Sequence, residues 1–159
     1  MSKGKRRGEP PAELQRFGIL VAKGVDAVVR DAGTPRRVRE AFVRVHGEVA
    51  RRGCAAAHYR LSGPGNWPRF CVIRLSDGWR LVVSFPEVDT VLFLLLEKHD
   101  NRTDPYAFLE EAFDLPGRAG HRAETAHAKP SCCGDDGGPP LIEDQGLMAA
   151  IEQIARRRL

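Results

Sequence analysis

The sequence lacks any apolar stretch long enough to cross a bilayer. Its longest uninterrupted apolar run, Val91 to Leu96, is far shorter than the roughly 20 residues that a membrane-spanning helix needs. Residues 1 to 7 are basic and are followed by no apolar run typical of a signal peptide. We therefore expect a cytoplasmic protein without a membrane partner.

Motifs for nucleotide cofactors and metals are also lacking. There is no Walker loop, no dinucleotide fingerprint and no nucleophile elbow. The C-terminal part does offer nitrogen and sulfur ligands for zinc, namely His121, His127, Cys132 and Cys133. Their spacing fits no standard zinc knuckle, because adjacent cysteines rarely bind one ion side by side. We predict no metal site and no cofactor.

Cysteine is scarce, with 4 residues in the chain. Cys71 falls in a strand pattern, Cys54 lies just beyond a helix pattern, and Cys132 and Cys133 are neighbours. These positions suggest no sensible pairing, so we predict reduced thiols, which also fits a cytoplasmic location.

Acidic residues are scarce at the N-terminal end. Residues 1 to 60 contain 14 Lys and Arg against 6 Asp and Glu, whereas residues 61 to 115 contain 5 against 9. Long-range attraction to phosphate would therefore come from the N-terminal arm and the helix after it. The alternative is that these arginines only solvate one face of that helix.

The first part of the chain contains a basic arm and an ambiguous segment. Residues 1 to 11 contain Gly and Pro without periodicity, which predicts a disordered arm. Residues 12 to 32 show helical spacing of apolar residues, but residues 17 to 22 also fit a short buried strand. Gly18 and Gly24 favour a strand followed by a helix, because a glycine inside a helix costs roughly 1 kcal/mol.

The middle of the chain carries clearer signals. Residues 34 to 52 form the best-marked helix, since Thr34 can cap its first turn, Pro35 suits the first helical position and Gly53 stops it. The tight-turn signal at residues 76 to 78 predicts a hairpin. The run from Val91 to Leu96 is apolar on both faces, which predicts a central strand.

The C-terminal third divides into three parts. Asp104 and Pro105 open a short helix over residues 106 to 113. Residues 116 to 140 are rich in Gly, Ala, His and Pro, which predicts a flexible linker. Residues 141 to 159 show a helical apolar stripe and a basic end, and predict a terminal helix that docks on the domain or is recruited by a partner.

Several of these elements follow one another in a family-like order. They are the strand at 16 to 22, the two helices, the Tyr59-Arg60-Leu61 lead-in, the Gly78-Trp79-Arg80-Leu81-Val82 strand, and the stretch from Lys98-His99-Asp100 to Tyr106. This order resembles the RelE and ParE toxins of bacterial type II toxin-antitoxin systems. The resemblance implies an α+β domain over residues 12 to 115, in which a small, twisted, mostly antiparallel sheet packs on a helical pair.

The resemblance also implies an activity. RelE-like toxins are endoribonucleases that cut messenger RNA on the ribosome without metal, by helping the 2′-hydroxyl attack the adjacent phosphate. Implied partners are the ribosome, messenger RNA and a cognate antitoxin in a hetero-oligomer. Other branches of the fold poison DNA gyrase. The alternative is therefore a non-catalytic binding module of the gyrase-inhibitor type, or a degenerate toxin kept as a regulator.

Four residues match catalytic positions of the family, namely Arg80, Lys98, His99 and Tyr106. The Arg80 guanidinium can bind phosphate through two hydrogen bonds. His99 and Lys98 end a buried strand, and imidazole suits acid or base catalysis near neutral pH. Tyr106 could stack on a base, carry a proton or simply pack on the core. Asp100 could orient the His99 ring or cap the following turn.

Four further arginines are candidates for RNA binding, namely Arg69, Arg74, Arg36 and Arg37. Arg74 shares a face with Arg80 only if the hairpin registers favourably. For each of the four, solvation of the surface is an equally good explanation.

Overall fold

Five strands form one open sheet in the computed structural model, which describes residues 16–100, 102–117 and 129–157. They are β1 (Gly18–Val21), β2 (Tyr59–Arg60), β3 (Cys71–Arg74), β4 (Trp79–Glu87) and β5 (Thr90–Lys98), in the spatial order β1-β5-β4-β3-β2. β1 runs parallel to β5, and all other neighbours are antiparallel. With the helices described below, this confirms the predicted α+β class and mostly antiparallel sheet.

The predicted hairpin and central strand are confirmed. Asp77 and Gly78 connect β3 to β4 with φ values of 57° and 81°, a left-handed turn that Asp and Gly tolerate. β5 lies between β1 and β4, and its residues 91 to 96 are buried. An interior strand covered on both faces needs such a continuous apolar run.

Two helices from one stretch of chain cover the first face of the sheet. They are α1 (Lys23–Arg30) and α2 (Arg36–Arg52). Gly53 ends α2 as predicted. Pro35, predicted at the first helical position, is the residue before α2, and the Thr34 hydroxyl donates to the Val28 carbonyl instead of capping the helix. The apolar stripes of both helices and the inward side chains of the sheet form what we call the first core, which includes Val25, Val38, Phe42, Val45, Val49, Ile73, Leu81, Val83 and Phe93.

The second face of the sheet is also covered by helices. They are α3 (Pro105–Ala112) and α4 (Gln145–Ala155). The second core includes Trp67, Phe70, Val72, Val82, Leu94, Leu109, Phe113, Leu147, Ile151 and Ile154. The sequence interpretation placed one helical pair on one face. The second layer exists because alternate residues of β3 to β5 are apolar on this face too and need cover. Within the described ranges, no helix has the length and apolar character needed to cross a membrane.

All four cysteines are paired, Cys54 with Cys133 and Cys71 with Cys132. The prediction of reduced thiols is therefore wrong. The partners are separated by 79 and 61 residues, so nothing in the local sequence pattern indicates the pairing. The neighbours Cys132 and Cys133 bond to two different parts of the domain, β3 and the short turn after α2.

The disulfides fasten part of the segment that we predicted to be a flexible linker. Of residues 116 to 140, the structure describes 116–117 and 129–140. The Arg60 amide donates to the Pro130 carbonyl, so the segment crosses the open edge of β2. Leu141 then forms a parallel bridge with Phe85 and leads into α4. The arm at residues 1 to 11 lies outside the described residues.

Candidate functional site

Two arginines and a carboxylate form a row across three strands. Arg74 of β3 is the register partner of Arg80 of β4, and Arg80 is the partner of Glu97 of β5. Because side chains alternate along a strand, these three lie on the face of the second core, where the strands run out of apolar residues. The predicted shared face of Arg74 and Arg80 is thus found. Two like charges opposite each other are unfavourable unless an anion lies near them.

Tyr59 is the centre of the site. It lies next to this row on β2, and its side chain is largely buried, with 8% of its surface exposed. The Arg74 guanidinium carbon lies 5.1 Å from the centre of its ring, and the Lys129 ammonium lies 4.6 Å from it. Both distances are typical of cation–π contacts. Two cations from distant parts of the chain therefore meet at one aromatic ring.

A second tyrosine connects this ring to His99. The Tyr59 and Tyr106 hydroxyl oxygens lie 2.6 Å apart, within hydrogen-bond distance. The Tyr106 ring meets the His99 ring edge to face at 5.2 Å. The Asp104 side chain accepts a hydrogen bond from the Tyr106 amide, so it caps the first turn of α3 and fixes where Tyr106 stands. An Asp104 carboxylate oxygen also lies 3.9 Å from the Nε2 of His99.

The site also contains His58, which contacts β3. Its Nδ1 accepts a hydrogen bond of 2.9 Å from the Arg74 amide, which requires a neutral ring with its proton on Nε2. Desolvation lowers the pKa of this imidazole, and the positive charges of Arg74 and Arg80 lower it further. These effects, like the hydrogen bond, favour the uncharged form of His58.

The pKa of Glu97, at the other end of the row, is shifted upward. Burial raises the pKa of its carboxyl group, and the negative charge of Asp104 raises it further. A carboxyl group whose charged form is disfavoured is better able to hold a proton. We call the whole constellation the Tyr59 cluster, which consists of His58, Tyr59, Arg74, Arg80, Glu97, His99, Tyr106 and Lys129.

The Arg80 side chain is more constrained than the phosphate-binding role predicted from the sequence requires. Its Nε is buried and has no hydrogen-bond partner within the described part of the chain, and its Nη1 donates to the Trp79 carbonyl at 3.2 Å. Within the part of the chain that the structure describes, the Nε donor of this guanidinium is therefore left unsatisfied. A buried, unsatisfied donor of this kind is costly unless a ligand completes it.

The other predicted site residues lie elsewhere. Lys98 is the register partner of Trp79, which packs on the first core, so it lies on the opposite face of β5 from Glu97. Asp100 caps the turn after β5, because its carboxylate accepts from the amides of residues 102 and 103, and these hydrogen bonds lower its pKa. The carboxylate that lies near the His99 ring is that of Asp104, 3.9 Å from Nε2.

The remaining predicted RNA-binding arginines are engaged with acidic side chains. Arg69 lies 3.6 Å from Glu143, Arg36 lies 3.0 Å from Glu40, and Arg37 lies 3.9 Å from Asp77. These are ion pairs at the protein surface. None of the three belongs to the Tyr59 cluster.

Sequence reasoning missed four members of the cluster, namely His58, Tyr59, Glu97 and Lys129. Tyr59 was noticed only as a lead-in to a strand. Glu97 could have been found, because it immediately precedes Lys98 and shares the parity of His99 along β5. Lys129 had no signal, since its position depends on the disulfides.

No metal centre accompanies the cluster in the described ranges, where no group of three or more His, Cys, Asp or Glu side chains is placed to hold an ion. The cysteines proposed as zinc ligands are consumed by disulfides. His121 and His127 lie outside the described residues. Comparison of the chain with models of protein families, with curated proteins and with solved structures finds no match.

Proposed function

We propose that this chain is a toxin-like endoribonuclease of a type II toxin-antitoxin system, which cleaves messenger RNA on the ribosome by metal-independent acid and base chemistry. The observation that carries the proposal is the meeting of Arg74, Arg80, His99 and Tyr106 around Tyr59. Three of these four residues were chosen from the sequence as catalytic. The order of elements along the chain, from β1 through two helices and the strands to α3, resembles that of the RelE and ParE toxins.

The cluster contains the groups that such a reaction needs. Attack of the 2′-hydroxyl gathers negative charge on the phosphoryl oxygens, and Arg80 and Arg74 are placed to neutralise it. The 2′-hydroxyl must lose a proton and the leaving 5′-oxygen must gain one. His99 is exposed and can exchange protons with the substrate, and Tyr106 holds its ring in place. Tyr59 is buried, and its ring holds the Arg74 and Lys129 cations at one place.

The proposal also implies a partner and a cellular compartment for the protein. A cognate antitoxin would form a hetero-oligomer with the toxin by covering the end of the sheet where the cluster lies. The site of action would be the cytoplasm, where the ribosomes are. Disulfides seldom persist in that compartment except as redox-sensing bonds, so the two pairs found here call for a role of their own.

One observation favours a second candidate, a non-catalytic module that holds a protein partner. A largely apolar groove of about 490 Å³ lies beside the C-terminal half of β5, between α1 and α3. Its walls include Val25, Val28, Trp79 and Phe108. β1 ends opposite Phe93, so the edge of β5 beyond that residue has no paired strand within the described residues. A partner could bind there without any RNA chemistry.

The test is to induce the chain in a bacterial host and to map the 5′ ends of messenger RNA across the genome. We expect new ends inside translated frames, and a loss of cleavage of roughly 100-fold or more in Arg80→Ala and His99→Ala variants. Arg30→Ala is the matched control, because Arg30 is an exposed arginine paired with Asp26 on α1. It should cleave like the parent chain.

The outcomes separate the candidates. Growth arrest with intact messenger RNA would overturn the nuclease and favour the protein-binding module. Because Arg80 is partly buried, circular dichroism must show that the Arg80→Ala protein is folded. An Arg80→Lys variant keeps the charge without the planar fork, and partial activity there would show that the cation itself acts.

A further inference from the structure

Lys129 reaches the Tyr59 cluster from a part of the chain far away in sequence. Its ammonium lies 4.6 Å from the Tyr59 ring centre, beside the ring that Arg74 also contacts. Arg74 and Arg80 already oppose each other across the strands. A third cation at the same place raises the mutual repulsion of the free protein. Glu97 is the acidic neighbour of Arg80, so three cations meet one carboxyl group and the arrangement is suited to bind an anion.

The segment around Lys129 is held by few bonds. Two disulfides fix Cys132 to Cys71 and Cys133 to Cys54. Besides these, Arg60 donates from its amide to the Pro130 carbonyl at 2.8 Å, and from its guanidinium to the Cys132 carbonyl at 2.6 and 3.2 Å. All three hydrogen bonds come from one residue. Lys129 and Pro130 are exposed, whereas Cys132 is buried in the first core and Cys133 packs against it.

We infer that Lys129 is a phosphate-binding residue of the Tyr59 cluster, and that the two disulfides hold it there, so that RNA binding depends on the redox state of the cysteines. The inference rests on the proposed function, because it takes RNA as the ligand. Lys129 lies only three residues before Cys132, so closing that bond limits how far the ammonium can move from Tyr59. Opening the bonds removes this covalent limit and leaves the hydrogen bonds from Arg60 and the packing of Cys132 and Cys133 to hold the segment.

The redox step is a thiol–disulfide exchange. A dithiol reductant attacks one sulfur as a thiolate, forms a mixed disulfide and then closes its own disulfide, which releases two protein thiols. Each protein disulfide takes up two electrons and two protons in total. Complete release of the segment therefore consumes two equivalents of the dithiol. The reaction is reversed by a disulfide oxidant.

The test measures the binding of a labelled single-stranded RNA to the full chain by fluorescence anisotropy, with the thiol state checked by alkylation and mass spectrometry. We expect Lys129→Ala to weaken binding by about three- to tenfold, as for loss of one phosphate contact. Reduction of the parent chain with a dithiol should produce a similar loss. The reduced and oxidised forms of Lys129→Ala should bind alike, because the cation that reduction displaces is already gone.

Lys23→Ala is the matched control, since Lys23 is an exposed lysine at the start of α1. It should bind like the parent chain and keep the full response to reduction. Circular dichroism must show that the reduced chain stays folded. Loss of the whole fold on reduction would overturn the claim of local control.

Failure of this inference can be told apart from failure of the proposed function. If Arg80→Ala abolishes binding while Lys129→Ala does not change it, only the role of Lys129 is overturned. Unchanged binding by the reduced parent chain would overturn the redox control alone. If the oxidised parent chain does not bind RNA, both proposals fail.

Discussion

The helices that cover the two faces of the sheet come from differently arranged parts of the sequence. The first face is covered by α1 and α2, which form one continuous stretch between β1 and β2. The second face is covered by α3 and α4, which come from separate parts of the sequence and are joined through the disulfide-fastened segment. Three arginines of the helices on the first face, Arg30, Arg36 and Arg52, have an acidic partner four residues away on the same helix. The cations at the end of the second face have their acidic neighbour, Glu97, on another strand, and burial raises the pKa of its carboxyl group.

The difference shows how a site can be added to a stable fold. A contiguous helical pair can satisfy its own charges through i,i+4 pairs. A face assembled from distant segments brings together charges that their local sequence does not balance. The Tyr59 cluster lies on that second face, and the segment that brings Lys129 to it is bonded to the first core through Cys71 and Cys54.

The largest expected effect comes from removing one large buried side chain from each core in turn. Phe93 of the first core and Phe70 of the second are fully buried. Replacing either by alanine should lower the free energy of unfolding by about 3–5 kcal/mol, through lost burial and a cavity. Urea unfolding followed by tryptophan fluorescence and circular dichroism measures the loss. A single transition in both variants would show one cooperative unit, and a separate early transition for Phe70→Ala would show that the second layer unfolds alone.

Removing the disulfides tests how much the second layer depends on its fastening. Reduction should lower the free energy of unfolding by about 2–4 kcal/mol, because the bonds close loops of 61 and 79 residues in the unfolded chain. Thermal unfolding with and without a dithiol measures this. The Cys71→Ser, Cys132→Ser double variant should lose part of that stability even when oxidised. An unchanged melting temperature would mean that the segment is held by other contacts.

Gly53 joins the two faces, because it ends α2 on the first and precedes the disulfide at Cys54. Its φ is 59°, and a Cβ there would lie 2.8 Å from atoms of the Phe17 ring. Gly53→Ala should therefore destabilise the protein by about 1–3 kcal/mol. Gly47→Ala, inside α2 with open space around it, is the control and should be neutral or stabilising by up to about 1 kcal/mol. A loss in both would indicate that helix packing and not backbone strain is responsible.

The smallest expected effect is a pH dependence that belongs to the second face. The pKa of His58 is lowered in the folded state from the ordinary value of 6.5, so the unfolded chain binds the proton more readily. Stability is therefore fully present above pH 6.5 and is lost as the pH falls through the folded pKa. In His58→Asn, whose amide oxygen can still accept from the Arg74 amide, this contribution to the loss should vanish. Urea titrations at several pH values measure it, and an unchanged slope would exclude His58 as its source.

Much of the fold could be predicted, because its signals are local. Pro35 and Gly53 bound α2, and the turn at Asp77 and Gly78 joins β3 to β4. The second helical layer was not predicted. The apolar stripe of α4 indicates that the helix docks, but a stripe does not say on which surface. The prediction of reduced cysteines was wrong for the same reason, since disulfide partners that are far apart in the sequence leave no local pattern.

The site was predictable to a similar extent. Arg80, His99 and Tyr106 were chosen from their order in the sequence and are brought together. Lys98 was chosen with them but lies on the other face of β5, because neighbours along a strand point to opposite sides. Tyr59 and Lys129 meet only through tertiary structure, so no spacing in the sequence could have paired them.

The parallel pairing of β1 with β5 also sets an order of events during folding. Gly18 is paired with Thr90, so β1 must wait for a strand about 70 residues later in the chain. The β3–β4–β5 meander closes over short loops and can form first. Cys132 and Cys133 are synthesised later still, so during synthesis the first core can assemble before the segment that carries Lys129 is available. The nascent chain would then be folded in its core while its site is incomplete.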